Sequence, residues 1–366
     1  MNPLVKLHEL GQSFWYDNMR RQFLFDGTLY NLIANDGLRG VTSNPSIFEK
    51  AIGDSDDYDG QIAQLVSDGK ETDEIYEALA IRDIQIACDM FANLYHESDG
   101  GDGYVSLEVS PHLARDTEGT LNDARRFFEA VNRPNLMIKI PATAEGIPAI
   151  EQAISEGINV NITLMFNMDH YESVAQAYIN GLRKRHENGE DVSGVASVAS
   201  FFISRVDSKI DDKLDAIGSD EAQALKGKIA IANGKVVYQR FEKIFHGDDF
   251  AELAEAGASV QRVLWASTST KDPSYPDTLY IDELIGPETV NTMPPKTIDA
   301  FRDHGTADCT LDKNIDEANE QLEQLESLGI SLREATEELQ DEGVDKFAAS
   351  FDSLMETLAQ KVDSFR

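Results

Sequence analysis

One lysine sits inside an apolar run, Leu136-Met-Ile-Lys-Ile-Pro141. An ammonium is expensive to bury unless it is paired or sheds its proton. Lys139 is therefore either half of a structural ion pair or a nucleophile. A free lysine titrates near ~10.4, so only roughly one in two thousand is neutral at pH 7. Desolvation enlarges that fraction, and a neutral amine attacks a ketone or aldehyde to give a Schiff base. Other polar residues lie inside or just after apolar runs: Asp17, Thr42, Asn44, Glu108, Asn161, Thr163, Ser200 and Ser267, with Phe202 two residues after Ser200. Three of these sets are spaced i, i+2 (Thr42 and Asn44, Asn161 and Thr163, Ser200 and Phe202). In a strand that spacing puts each pair on one face.

The elements that could position them follow a βα rhythm. Eight runs read as strands: Ser13 to Tyr16, Gly40 to Ser43, Val105 to Val109, Leu136 to Ile140, Asn159 to Leu164, Val195 to Ile203, Val260 to Ala266 and Glu288 to Met293. Helical patterns lie between most of them. Val206, Ile210, Leu214 and Ile217 share one face, and Leu121 to Val131 and Ala144 to Ser155 read the same way, with Gly157 as a C-cap. Alternation of strand and helix implies a parallel sheet, and eight units suggest an α/β fold of the (β/α)8 TIM-barrel type, with additional peripheral and C-terminal helices. A doubly wound open sheet is the alternative, though no strand is followed by GxGxxG or GxxxxGK[ST]. No linker divides the chain, so residues 1–366 are expected to form one domain. Ser98 to Gly103 (SDGGDG) reads as a loop. Beyond Asp308 the chain is acidic and helical, with a weak stripe from Leu322 and Leu325 and a clearer one in Phe347, Phe351, Leu354 and Leu358 that packs on the barrel.

Barrel active sites lie at the C-terminal ends of the strands. If the i, i+2 pairs face the interior, their polar groups converge on Lys139. Structural alternatives remain open for each. Thr42 and Asn44 precede Pro45 and could cap a helix starting near Ser46. Asp17 could cap Asn18 to Phe25. Asn161 and Thr163 could satisfy interior hydrogen bonds, Glu108 could be a plain ion-pair partner for Lys139, and Phe202 could be packing.

Composition excludes several classes. The 366 residues carry 66 acidic and 32 basic side chains, a net charge of -34. Nucleic acid is an unsuitable partner, since phosphate backbones need Lys and Arg. The acidity reads either as a surface that keeps the chain dissolved or as adaptation to a salty cytoplasm that screens self-repulsion. An anionic substrate would need locally placed cations. No run of about eighteen apolar residues suggests a membrane span, and Met1 opens no signal-peptide pattern. Cys88 and Cys309 stand far apart, which fits a reducing cytoplasm. The seven histidines show no HExxH or paired-ligand spacing, so neither a metal nor another cofactor is expected, and GxSxG is absent.

At this point the motifs resemble a known family. Gly40-Val-Thr-Ser-Asn-Pro-Ser46 is similar to the early signature of transaldolases, and Leu136-Met-Ile-Lys-Ile-Pro-Ala142 to the segment around their Schiff-base lysine. Gly157-Ile-Asn-Val-Asn-Ile-Thr-Leu164, Ser200-Phe-Phe-Ile-Ser-Arg205 and Trp265-Ala-Ser267 follow in family order, and the likeness runs from about Leu10 to Phe351. The length, Trp-Ala-Ser-Thr and Asn-Thr-Met-Pro-Pro look closest to the longer bacterial subgroup. The resemblance implies a pentose phosphate enzyme of the cytoplasm that passes a dihydroxyacetone unit between sugar phosphates. The donors would be sedoheptulose 7-phosphate or fructose 6-phosphate, and the acceptors glyceraldehyde 3-phosphate or erythrose 4-phosphate. By this likeness Lys139 is the nucleophile, Asp17 takes the proton of the C4 hydroxyl, and Glu108 works through a water held by Thr163. Asn44 and Asn161 hold the hydroxyls of the three-carbon unit, Thr42, Ser200 and Phe202 are further substrate-binding residues, and Arg205 with Ser267 binds the distal phosphate. Better-known members carry an arginine two residues past that serine. Ser269 stands there instead, and Lys271 is the expected substitute cation. The rival within the superfamily, fructose 6-phosphate aldolase, resembles shorter chains with the glutamate replaced and a tyrosine near Phe202. A non-catalytic sugar-phosphate-binding barrel is the rival of another class. A monomer or homodimer is expected.

Overall fold

In the computed structural model, which describes residues 2–366, eight parallel strands close into a barrel in sequence order. They are β1 (Gln12–Asp17), β2 (Gly40–Thr42), β3 (Tyr104–Glu108), β4 (Leu136–Pro141), β5 (Val160–Met165), β6 (Ser197–Phe202), β7 (Arg262–Ala266) and β8 (Thr289–Met293). All eight coincide with the runs expected from the sequence. Pairing of β8 with β1 leaves no edge, which sets aside the open-sheet alternative. β3 to β6 and β8 are buried along their whole length, because helices cover the outside and side chains fill the inside.

The helices follow their signals. Thr117–Val131 starts on Asp116, whose carboxylate accepts the Gly119 amide at 3.0 Å. Gly146–Ser155 is followed by Gly157 at φ +84°, the left-handed position that the C-cap reading requires. In Ser204–Ile217 the face of Val206, Ile210 and Leu214 is fully buried, while the stripe's last member, Ile217, is 42% exposed. Asp17 caps nothing. The helix after it begins at Arg21 and has no side-chain cap, and Asp17 closes β1. Asn44 does cap, accepting the Ile47 amide at 3.0 Å for the helix Pro45–Gly53.

An ion cluster plugs the N-terminal end of the barrel. Asp102, from the Ser98 to Gly103 loop, takes Arg39 at 2.5 Å, Arg262 at 3.1 Å and the Ser13 hydroxyl at 2.8 Å. Burial works against this carboxylate, yet Arg262 and Arg39 together hold its pKa below the ordinary value. The loop thus anchors the barrel floor.

At the opposite end the last helix, Leu332–Phe365, runs across the mouth. Gln340 donates to the Ala142 and Leu164 carbonyls, both at 3.0 Å, and Thr336 accepts from Asn167 at 2.9 Å. Close approach needs a glycine: a Cβ on Gly343 would meet Leu164 Cδ2 at 2.8 Å. Leu354 and Leu358 are completely buried, as the apolar stripe implies. No helix among the described residues is long and apolar enough to cross a membrane.

Candidate active site

Register brings the charged residues together. In the β3–β4 ladder Glu108 lies opposite Lys139, and in the β4–β5 ladder Lys139 lies opposite Asn161. Residues paired across a parallel ladder point to the same face, so all three turn inward, with Asn161 one level deeper than Lys139. Lys139 and Glu108 are 5% and 7% exposed. The amine donates to the Ser43 carbonyl at 3.2 Å and stands 3.4 Å from Glu108 Oε2. A buried ammonium has thus met a counter-charge at ion-pair distance and one carbonyl.

Above this level a cavity of about 730 Å³, counted to its open mouth, occupies the C-terminal end of the barrel. Asp17, Thr42, Asn44, Lys139, Thr163, Ser200, Phe202, Arg205, Ser267 and Lys271 all line it. Two of the expected residues lie elsewhere. Asn161 sits one layer down, donating to Ser106 Oγ at 3.0 Å and accepting from Ser200 Oγ at 2.6 Å, so its amide braces the floor beneath Ser200. Glu108 reaches Lys139 from the flank and lines a different cavity. The period-two pattern correctly turns both inward. Their depth follows from strand tilt and stagger, which spacing does not carry.

Asp17 is tied to the rim by a short relay. Thr42 Oγ1 lies 2.8 Å from Asp17 Oδ1 and 2.7 Å from Thr292 Oγ1. Burial pushes the Asp17 carboxyl up from its ordinary value, opposed by Lys139 and by the Thr42 hydrogen bond. Burial likewise pushes Glu108 up, again against the pull of Lys139. Two carboxyls with raised pKa flank one amine, a setting suited to proton exchange.

Across the cavity, cations gather. The Arg205 guanidinium lies 5.0 Å from the Phe202 ring centre and 5.8 Å from that of Phe347, held between two aromatic faces. Lys271 donates to Ser269 Oγ at 2.7 Å. Burial lowers its pKa, the Arg205 charge adds to that, and Asp17 opposes both. The residue at the expected arginine position therefore holds the neighbouring lysine at the cavity wall. Ser267 adopts φ +57° and pairs its hydroxyl with that of Ser204 at 2.9 Å.

Three buried side-chain atoms at the site have no hydrogen-bond partner in the protein: Glu108 Oε2, Thr163 Oγ1 and Arg205 Nη1. Such orphans are costly, and their clustering around one amine marks a place built to meet another molecule. No group of three His, Cys, Asp or Glu side chains converges as metal ligands among the described residues. The arrangement can hold a nucleophilic amine, move protons on either side of it and bind an anion at the far wall.

Sequence reasoning missed Thr292 and Phe347. Thr292 follows Asn291 in the Asn-Thr-Met-Pro-Pro stretch, and alternation from β8 could have flagged it. Phe347 looked like ordinary packing, but its ring centre lies 5.6 Å from Lys139 Nζ. Nothing in a helical stripe says that the helix crosses a barrel mouth.

Comparison with known proteins gives the chain's family and relatives. The model of the transaldolase/fructose-6-phosphate aldolase family matches residues 14–358. The chain is 48% identical to a transaldolase of Trichodesmium erythraeum over 371 residues, covering 99% of this chain and 98% of that protein. A transaldolase of Thermobifida fusca is also 48% identical, with 99% and 98% covered. One from Thiobacillus denitrificans is 46% identical, with 97% and 99% covered.

Proposed function

The chain belongs to the transaldolase/fructose-6-phosphate aldolase family, and from that premise we propose that it works as a transaldolase of the pentose phosphate pathway, with Lys139 as its Schiff-base residue. The observation that carries the reading is the Lys139 amine on the lumen wall, 3.4 Å from Glu108 and flanked by unpartnered polar atoms. The whole chain, 1–366, serves as one catalytic domain in the cytoplasm, as a monomer or homodimer. It moves a dihydroxyacetone unit from sedoheptulose 7-phosphate or fructose 6-phosphate to glyceraldehyde 3-phosphate or erythrose 4-phosphate.

The amine adds to the donor ketone at C2. Glu108 and a water held by Thr163 carry protons while the carbinolamine loses water to become an iminium. Asp17 then accepts the proton of the C4 hydroxyl as the C3–C4 bond breaks, and the electron pair of that bond is taken up by the iminium. A carboxyl raised by burial is the stronger base for this step. Thr42 and Asn44 receive the hydroxyls of the three-carbon unit, with Ser200 held from below by Asn161. Asn44 Oδ1 is occupied by its helix, which leaves its amide hydrogens as donors. Arg205, Ser267 and Lys271 take the phosphate by charge-assisted bonds, and the orphaned Nη1 of Arg205 supplies an unspent donor. Phe202 and Phe347 keep this region dry, which protects the enamine until an aldehyde arrives.

A coupled assay tests the reading. Fructose 6-phosphate with erythrose 4-phosphate is expected to release glyceraldehyde 3-phosphate, while fructose 6-phosphate alone gives little net cleavage. Cleavage without acceptor at the transfer rate would instead make the chain an aldolase, and no release in either case would leave it a binding protein. Lys139→Ala is expected to abolish transfer.

The raised carboxyls predict the pH profile. A proton acceptor must be ionised, and a raised pKa keeps it protonated to higher pH. The acid limb of kcat therefore falls away above the ordinary carboxylate range of about 4 to 4.5, as pH drops through the raised values of Asp17 and Glu108. Glu108→Gln is expected to slow kcat by about 10²- to 10⁴-fold while the melting temperature changes little. A matching collapse in stability would make Glu108 structural.

Lys271→Ala is expected to raise KM for fructose 6-phosphate by about tenfold with kcat largely kept, the worth of one charged hydrogen bond. An unchanged KM would remove Lys271 from the phosphate site.

A further inference from the structure

A second cavity, of about 740 Å³, reaches the reaction centre from outside the barrel. It lies between the helices Pro45–Gly53, Thr72–Glu97, Thr117–Val131 and Leu332–Phe365, and its inner end is Glu108. Its rim carries the exposed Asp73 and the half-exposed Arg126, so the cleft runs from solvent to a carboxyl that is 7% exposed. Glu108 lines this cavity and does not line the one that holds Asp17, Thr163 and Arg205. Asn44 lines both.

We infer that this side cavity is the water route of the Schiff-base cycle. The inference rests on the transaldolase reading, because it concerns water made and consumed at Lys139. Imine formation joins the lysine nitrogen to C2 and breaks the C2–O bond, and the oxygen leaves as water with a proton delivered through Glu108. Hydrolysis reverses this: water adds its oxygen to C2, Glu108 receives the proton, and the C–N bond breaks to free the amine. Each cycle thus needs one water out and one water in while a sugar phosphate fills the lumen under the Phe347 roof. Glu108 lines the cleft, and its buried Oε2, which has no hydrogen-bond partner, stands 3.4 Å from the Lys139 amine, so the carboxyl bridges the cleft and the reacting nitrogen.

The walls suit water and refuse the substrate. Phe48, Tyr76, Phe127 and Phe351 narrow the cleft with aromatic surface. Its charges are Asp73, Glu77, Glu108 and Asp123 against Arg126 alone. Arg126 is spent on Glu77 at 2.5 Å and on Asp123. A phosphate meets net negative charge here, whereas Arg205 and Lys271 receive it on the other side of the barrel. Water and the enamine are thereby kept apart in space: water comes from β3, and the aldehyde comes through the mouth.

The test is exchange of the C2 oxygen of fructose 6-phosphate with oxygen-18 water, read by mass spectrometry above the uncatalysed background. Met355→Trp and Ser110→Phe each fill the cleft from a different wall without touching the lumen. Both are expected to slow exchange and transfer by about tenfold at unchanged KM, and Met355→Trp with Phe351→Ala, which restores room, is expected to recover exchange. Variants that melt like the parent and exchange at its rate would overturn the inference, since water would then enter through the mouth. A parent enzyme that transfers nothing and exchanges nothing would overturn the covalent reading itself, and the two failures are distinct.

Discussion

The structure depends on one electrostatic constraint: a lysine amine kept in a desolvated lumen beside a carboxyl that desolvation also disfavours. Neither charge is comfortable alone. Glu108 lies at 3.4 Å and the Ser43 carbonyl at 3.2 Å, which is the least that burial of an ammonium demands and little more. Burial pushes Glu108 toward its protonated form, and a protonated Glu108 is an acid beside the amine. The surrounding charges extend the balance, with Lys139, Arg205 and Lys271 set against Asp17 and Glu108. In a chain of net charge -34, this end of the barrel is locally cationic, so an anionic sugar is repelled by the surface at large and received at the mouth.

The rest of the fold serves that balance. Parallel register turns Glu108, Lys139 and Asn161 to the same face, and the closed sheet permits no slip, since a shift of one residue would turn all three outward. The Asp102 cluster ties the floor together with ion pairs at the end opposite the site. The last helix seals much of the top. Its glycine at 343 and the Gln340 bonds to two strand-end carbonyls hold Phe347 over the amine at a distance that an ordinary side chain at 343 would not permit. A barrel that must protect an enamine thus borrows its roof from the far end of the chain.

Much of this was legible in the sequence. All eight strands showed as apolar runs, and polar residues at period two within them marked the lumen, because a strand buried on both faces has no reason to carry Thr42 or Lys139 unless something inside needs them. The family motifs then supplied roles that spacing alone could not. What stayed hidden was long-range or three-dimensional. Asp102 sits in a glycine-rich loop that signals only a turn, yet three partners from β1, β7 and the lead-in to β2 converge on it. Phe347 and Gln340 share a helix whose stripe announces burial without saying against what. Asn44 illustrates a false choice: it caps its helix through Oδ1 and still lines the cavity, so the structural reading does not displace the functional one. The placement of Glu108 in a cleft of its own depends on how four helices meet, and no local pattern encodes that.

The central claim is that the Lys139 nitrogen joins covalently to the ketone carbon of a sugar phosphate. Incubation with fructose 6-phosphate and borohydride, followed by peptide mass mapping, tests it most directly. The account requires a reduced three-carbon adduct on the peptide that carries Lys139 and on no other. An unmodified Lys139, or an adduct on a different lysine, would contradict it.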